Sequence, residues 1–143
     1  MAHARETVDS SKPRQEVFDY LSDFTTTAHW DPGIVSAEKL TDGPIGVGTQ
    51  FRVETKFMGR TTALVYVMTA CDPPGRFVVS GENATVTSLD EITVDAVGEG
   101  SRVTYDAELT LKGPAKLFDP LLSLAFGRVA DKAIAGLRKA LNS

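Results

Sequence analysis

The chain has 143 residues, 42% of them hydrophobic and 24% charged, with a formal net charge of -4. This size is typical of one domain with a single core, expected here to span residues 1–143, and no stretch is apolar over the roughly 18 residues that a transmembrane helix needs. Because the basic residues are dispersed rather than gathered on one face, nucleic acid is not an expected partner.

The chain is expected to begin with one strand and two short helices. Residues 3–9 form the strand candidate. In residues 13–24, PRQEVFDYLSDF, apolar side chains recur at helical spacing, which predicts an amphipathic helix. Residues 25–30 predict a second short helix, which must end before Pro32 because the residue before a proline is pushed out of the α region.

Strands are expected to follow Gly33, connected by short turns. Two of them, TQFRVETKF and RVTYDAELTL, alternate apolar and polar residues, as half-buried strands do. Successive strands joined by hairpin turns make an antiparallel sheet. The expected strands are residues 34–40, 49–57, 61–70, 76–82, 85–97 and 102–111.

The end of the chain predicts one long helix. Residues 120–141 repeat apolar side chains at steps of three and four, and would form a rod of about 33 Å. Asp119 is expected as the N-cap and Pro120 as the first helical residue, and one more turn is plausible near residues 115–118. The fold class is therefore α+β, with a curved antiparallel sheet of six to seven strands wrapped around the long C-terminal helix.

Two further features indicate the cellular compartment. The first residues, MAHARETVDSSKP, contain no apolar run of the kind found in signal peptides. Cys71 is the single cysteine, so no intrachain disulfide is expected, as in a reducing compartment. We therefore expect a cytoplasmic protein. Its expected oligomeric state, a monomer or a homodimer, is a separate open alternative.

Five stretches carry a resemblance to a known superfamily. The sequences VFDYLSDFTTTAHWDPGIVSAEKL, GVGTQFRVET, DPPGRFVVSG and SRVTYDAELTLKG, together with the closing helix, resemble the START-like or Bet v 1-like helix-grip superfamily (SRPBCC). Within it the chain is most similar to the bacterial polyketide cyclase/dehydrase-type proteins. The resemblance implies a helix-grip fold with an apolar cavity between sheet and helix. The superfamily includes lipid carriers, hormone receptors and aromatases, so fold alone does not settle function.

The strand and helix phases indicate which side chains would line such a cavity. Trp30 is expected where the short helices meet the sheet, either closing the cavity or plugging a minor core. Gly127 and Gly136 in the long helix indicate either close backbone packing or room for a guest, and packing is the favoured interpretation. The expected lining residues are Trp30, Phe51, Val53, Phe57, Tyr66, Val103, Tyr105, Leu109, Leu122, Phe126, Val129 and Ala133.

The sequence contains few candidates for catalysis. Two histidines and one cysteine make no metal site, and no cofactor motif is present. Acid–base candidates are His29, Tyr66 and Tyr105, although a surface histidine and amphipathic wall tyrosines are the favoured interpretations. Aromatases that resemble this chain carry arginine and tryptophan on the strand crossing the cavity, whereas residues 63–70, ALVYVMTA, hold no charge.

Three hypotheses of function follow. The first is binding of a small hydrophobic molecule, of lipid, polyketide or isoprenoid type, in the internal cavity. The second is a cyclase or dehydratase that performs acid–base chemistry in the same cavity. The third is a regulatory or toxin-like interaction protein that uses the outer face of residues 63–70.

Overall fold

A computed structural model describes residues 2–57 and 59–142, with only the backbone of Phe57. Within these ranges, seven strands form one antiparallel sheet in the order β1-β7-β6-β5-β4-β3-β2. The expected α+β helix-grip fold is confirmed. The strands are β1 Ala2–Ser10, β2 Ile34–Lys39, β3 Gln50–Phe57, β4 Arg60–Asp72, β5 Arg76–Glu82, β6 Val86–Val97 and β7 Gly100–Leu111.

Three α-helices in the described ranges accompany the sheet, and two of them are the short helices expected after the first strand. A 3₁₀ turn at Phe24–Thr26 joins the short pair, and another at Gly113–Phe118 precedes the long helix, where an extra turn was expected. The long helix begins at Asp119, one residue earlier than expected, so its N-cap is Phe118 and not Asp119. The helices are α1 Arg14–Ser22, α2 Thr27–Trp30 and α3 Asp119–Leu141.

The inner face of the sheet is filled with side chains at one end, which we call the packed end. Here α1 lies on the sheet, and the ring of Phe18 meets the ring of Phe77 edge-on at 5.7 Å. The second half of α3 adds Leu137 and Leu141, both almost fully buried. Burial of these apolar groups supplies most of the stabilisation of the fold.

The opposite end of the sheet, which we call the open end, has no helix comparable to α1 among the described residues. It contains the β3–β4 and β5–β6 hairpins and the last residues of β7, because Phe57 pairs with Arg60 and Val86 with Leu111. The first half of α3 extends over this end, and Leu122 is its one buried apolar residue before Ile134 among those described. The space beneath that half-helix is the candidate site.

Gly136 fixes the distance between α3 and α2. A Cβ atom at this position would overlap the backbone carbonyl oxygen of Trp30. Gly136 therefore packs closely against a neighbouring backbone, which is the interpretation that the sequence favoured. Gly127 differs, because a Cβ there would meet no described atom within 4 Å and the residue is exposed.

The two glycines make a matched pair for mutagenesis. We expect Gly136→Ala to lower the free energy of unfolding by about 2 kcal/mol, since α3 must move away from α2. Gly127→Ala should raise it by about 0.5–1 kcal/mol, because alanine favours an exposed helix over glycine. Urea unfolding followed by circular dichroism measures both, and equal effects at the two positions would contradict the packing argument.

Candidate functional site: a cavity under the long helix

A cavity of about 680 Å³ lies at the open end, between the inner face of the sheet and the first half of α3. Alternate residues of β1, β3, β4, β6 and β7 form its sheet wall, as the two-residue period of strands requires. Its surface is mainly apolar, and several wall residues are small, such as Ala4, Ala107 and Ala130. The cavity remains because these side chains are too short to fill the gap beneath α3.

Nine of the residues expected to line a cavity lie on its wall. The strands contribute four of them, α2 contributes one, and α3 contributes four at successive inward positions. They are Trp30, Val53, Tyr66, Tyr105, Leu109, Leu122, Phe126, Val129 and Ala133.

The remaining expected residues are placed differently. Phe51 and Val103 have the correct strand phase but lie at the packed end, in the solid core and away from the cavity wall. The difference is one of position along the strand, which an alternating pattern does not specify. His29 is exposed on α2 and is absent from the wall. The side chain of Phe57 lies outside the described residues.

Tyr66 begins a polar cluster in this apolar wall. Its ring lies over Gly81 of β5, where a Cβ would come within 2.7 Å of the ring. Tyr66 pairs with Gly81 and Gly81 pairs with Ser88, so the tyrosine crosses one strand to reach the next. Its hydroxyl donates to Ser88 Oγ at 2.9 Å. Glycine at 81 thus permits this cross-strand contact.

Asp90 is the centre of the cluster and is buried. Ser88 Oγ donates to its Oδ1 at 3.3 Å, and the Tyr105 hydroxyl donates to its Oδ2 at 2.6 Å. The three hydroxyls of Tyr66, Ser88 and Tyr105 are therefore linked through one carboxyl group. We call these four residues the Asp90 cluster.

Burial changes the acidity of the cluster. Removal from water raises the pKa of Asp90 to about 6, against the opposing effect of the Tyr105 and Ser88 hydrogen bonds. Burial also raises the pKa of Tyr66 and of Tyr105, and the charge of Asp90 raises both further. Both phenols thus remain protonated donors, while the carboxyl group of Asp90 gains or loses a proton near neutral pH.

Trp30 and Asp31 border the cluster at the end of α2. The Trp30 ring meets that of Tyr105 edge-on at 5.9 Å, and its Nε1 has no hydrogen-bond partner among the described residues. Asp31 also lines the cavity and accepts a hydrogen bond from the Gly33 amide at 2.9 Å. Burial raises the pKa of Asp31 as well.

Asp90 and Ser88 were missed from the sequence, although the signal was present. In TVTSLDEITVDAV, both occupy the same strand phase as the buried Ile92 and Val94. A carboxylate and a hydroxyl in an otherwise apolar phase indicate a buried polar site. For Asp31, which precedes Pro32, nothing local in the sequence indicates that it faces a cavity.

The described residues contain no metal site or membrane span. In residues 2–57 and 59–142, no three His, Cys, Asp or Glu side chains are grouped so that they could hold a metal ion. Within the same ranges, no helix has both the length and the apolar character needed to cross a bilayer.

Sequence comparison identifies the family. Residues 1–142 match the model of a family described as polyketide cyclase/dehydrase and lipid transport. The chain belongs to this family. No curated protein was found to match the sequence.

Solved structures similar to this family member share its fold at low sequence identity. A START superfamily protein from Mycobacterium smegmatis has a TM-score of 0.81 and 14% identity, over 99% of this chain and 97% of that one. The Zhui aromatase/cyclase from Streptomyces sp. R1128 has a TM-score of 0.76 and 14% identity, over 97% and 90%. A protein from Thermus thermophilus has a TM-score of 0.78 and 17% identity, over 98% and 95%.

Titration of Asp90 should make the stability of the protein depend on pH. Because its folded pKa is above the unfolded value, the stabilisation is present below the unfolded pKa and is lost as the pH rises through about 6. We expect the wild type to lose about 2 kcal/mol relative to Asp90→Asn between pH 4 and pH 7. Urea unfolding of both proteins across this range measures the difference.

The charge of Asp31 contributes to the raised pKa of Asp90, so the measured difference reports the titration of Asp90 together with its coupling to Asp31. A constant difference in unfolding free energy between wild type and Asp90→Asn at every pH would show that Asp90 has an ordinary pKa.

Proposed function

We propose that the protein binds a small hydrophobic molecule, of lipid, polyketide or isoprenoid type, in the cavity beneath α3. The observation that carries the proposal is the cavity itself, whose volume of about 680 Å³ falls in the range of small-molecule sites. Its mainly apolar wall matches a ligand with little charge. The setting we propose is the cytoplasm, in agreement with the single cysteine.

Transfer of a guest from water supplies enough free energy for binding. A molecule that buries about 500 Å² of apolar surface gains roughly 12 kcal/mol, and micromolar affinity corresponds to about 8 kcal/mol. Association costs upward of about 4 kcal/mol, so micromolar affinity requires that the site be largely formed in advance. Sheet, α1 and the second half of α3 hold the walls in place, which meets this requirement.

The Asp90 cluster would orient such a guest. Its three hydroxyl groups already donate hydrogen bonds within the cluster, so the groups with remaining capacity are oxygen lone pairs. A guest held there would present a hydrogen-bond donor, such as a hydroxyl group, to this side of the cavity. Its apolar remainder would lie against Val129 and Leu109.

A second candidate function is acid–base catalysis of the cyclase or dehydratase type. It is favoured by one observation, that Tyr66 and Tyr105 are joined through Ser88 and Asp90 in a single hydrogen-bonded cluster. Asp90, with a pKa of about 6, is suited to accept a proton at neutral pH and to return it in a later step. His29 has no place in this mechanism because it is exposed.

The interaction hypothesis receives less support. Among the described residues of the outer face at 63–70, Val65 is the one exposed large apolar side chain, at 38%. An isolated exposed side chain is ordinary for a protein surface. This hypothesis stays a prediction.

Filling the cavity should abolish ligand binding. We expect Ala133→Phe, on the cavity wall, to weaken Nile red binding at least about tenfold because the added ring occupies the guest's space. Ala135→Phe, on the exposed side of the same helix, is the matched control and should bind as the wild type does. Fluorescence titration measures both, with circular dichroism to verify folding.

Equal binding by the wild type and the folded Ala133→Phe variant would reject the cavity as the binding site. Native mass spectrometry of freshly purified protein then identifies any ligand that co-purifies. Failure of every hydrophobic probe and cellular lipid extract to bind saturably would reject the function itself.

Catalysis is tested separately from binding. A linear poly-ketone thioester is incubated with the wild type and with Asp90→Asn, and cyclised products are measured by mass spectrometry. The enzyme hypothesis expects a rate loss of about 10²-fold or more in the variant, with Nile red binding retained. Product formation no faster than in buffer alone would reject it.

A further inference from the structure

A group of large apolar side chains is exposed at the open end, where α3 begins. Leu117 is 84% exposed, Phe118 63%, Leu121 49% and Leu124 69%. They lie within eight consecutive residues, in the 3₁₀ turn and the first turns of α3. We call these four residues the rim patch. Such a concentration of exposed apolar side chains marks an interaction surface.

The rim patch is continuous with the cavity. Phe118 and Leu121 line the cavity and are also exposed to solvent, so they form part of its mouth. Leu121 and Leu124 are three residues apart in α3, which places them on one side of the helix, and Leu117 lies in the 3₁₀ turn just before it. The mouth therefore opens beside a row of apolar side chains that face outward.

Basic side chains surround the rim patch. Lys116 lies within the same segment, Arg128 one helical turn beyond Leu124, and Arg60 on the β4 side of the mouth, and all three are exposed. Of the acidic residues nearby, Glu82 forms an ion pair with Lys112 at 2.8 Å. Asp119 and the cavity-lining Glu6 are half-buried, and Asp131 is exposed about one turn beyond Arg128. Around the rim patch, exposed basic side chains therefore outnumber exposed acidic ones, in a chain whose net charge is -4.

We propose that the rim patch docks onto an anionic lipid bilayer. Exposed leucine and phenylalanine side chains gain free energy by entering the interface between headgroups and acyl chains, and the surrounding lysine and arginine side chains match negatively charged headgroups. A symmetric dimer through the rim patch would bring the basic side chains of two copies together, so the charges at this surface favour an anionic bilayer over a second copy. In this orientation the cavity mouth faces the membrane, so a hydrophobic guest, if the proposed function holds, passes between membrane and cavity without crossing water.

Vesicle flotation tests the proposal on the intact protein, without any guest. The probes are vesicles of phosphatidylcholine alone and vesicles with about 30% phosphatidylglycerol, at low and at high salt. We expect the wild type to float with the anionic vesicles at low salt and several-fold less with the neutral ones. Leu124→Asp should reduce flotation with anionic vesicles about tenfold, because a charged group replaces an inserted apolar one.

Val47→Asp is the matched control. Val47 is 69% exposed, as Leu124 is, but lies in the loop before β3, at the opposite end of that strand from the β3–β4 hairpin. Val47→Asp introduces the same charge as Leu124→Asp at a position of equal exposure, and it should leave flotation unchanged. Equal loss in both variants would show a general charge effect and overturn the docking surface.

Three other results would also overturn the proposal. The first is that the wild type does not float with anionic vesicles, and the second is that it floats equally well with neutral and anionic vesicles. The third is that analytical ultracentrifugation shows a concentration-dependent dimer that Leu124→Asp abolishes. The last result would assign the rim patch to a second copy of the chain. Because Nile red binding is measured without vesicles, a failure of docking is distinguished from a failure of ligand binding.

Discussion

The contact between α3 and α2 is the constraint on which the rest of the structure depends. Gly136 lets the helix backbone pack against the carbonyl of Trp30, and Leu137 and Leu141 then anchor the second half of α3 in the core. Because this 23-residue helix is fixed at its C-terminal end, its first half lies at a fixed distance from the rest of the sheet. The side chains between this half and the sheet do not fill the space, and the cavity is the result.

The same constraint separates a tightly packed end from a cavity within one molecule. At the packed end, α1 and the end of α3 bury large side chains such as Phe51, Phe77 and Met68 completely. At the open end, half-buried groups of α3 such as Phe126 and Val129 face the cavity instead of a neighbour. Unfilled apolar volume reduces stability, since its lining lacks dispersion contacts. The packed end provides the compensation.

The Asp90 cluster adds a second cost that the core must offset. A carboxyl group buried in an apolar wall is tolerated because Ser88 and Tyr105 donate hydrogen bonds to it, and its raised pKa records the loss of water. A solid core would gain nothing from such a group. Next to a cavity, it places hydrogen-bonding groups on one side of an otherwise apolar wall.

The sequence by itself determined the elements and their faces. Two-residue alternation in β3 and β7, helical spacing in α1 and α3, and the proline and glycine turns are local properties, so the fold and nine wall residues could be predicted. Only the tertiary structure decided where along each strand the core ends and the cavity begins. That boundary placed Phe51 and Val103 in the core, and the pairing of β4, β5 and β6 assembled the Asp90 cluster. Both depend on contacts between residues far apart in the chain, which no local pattern encodes.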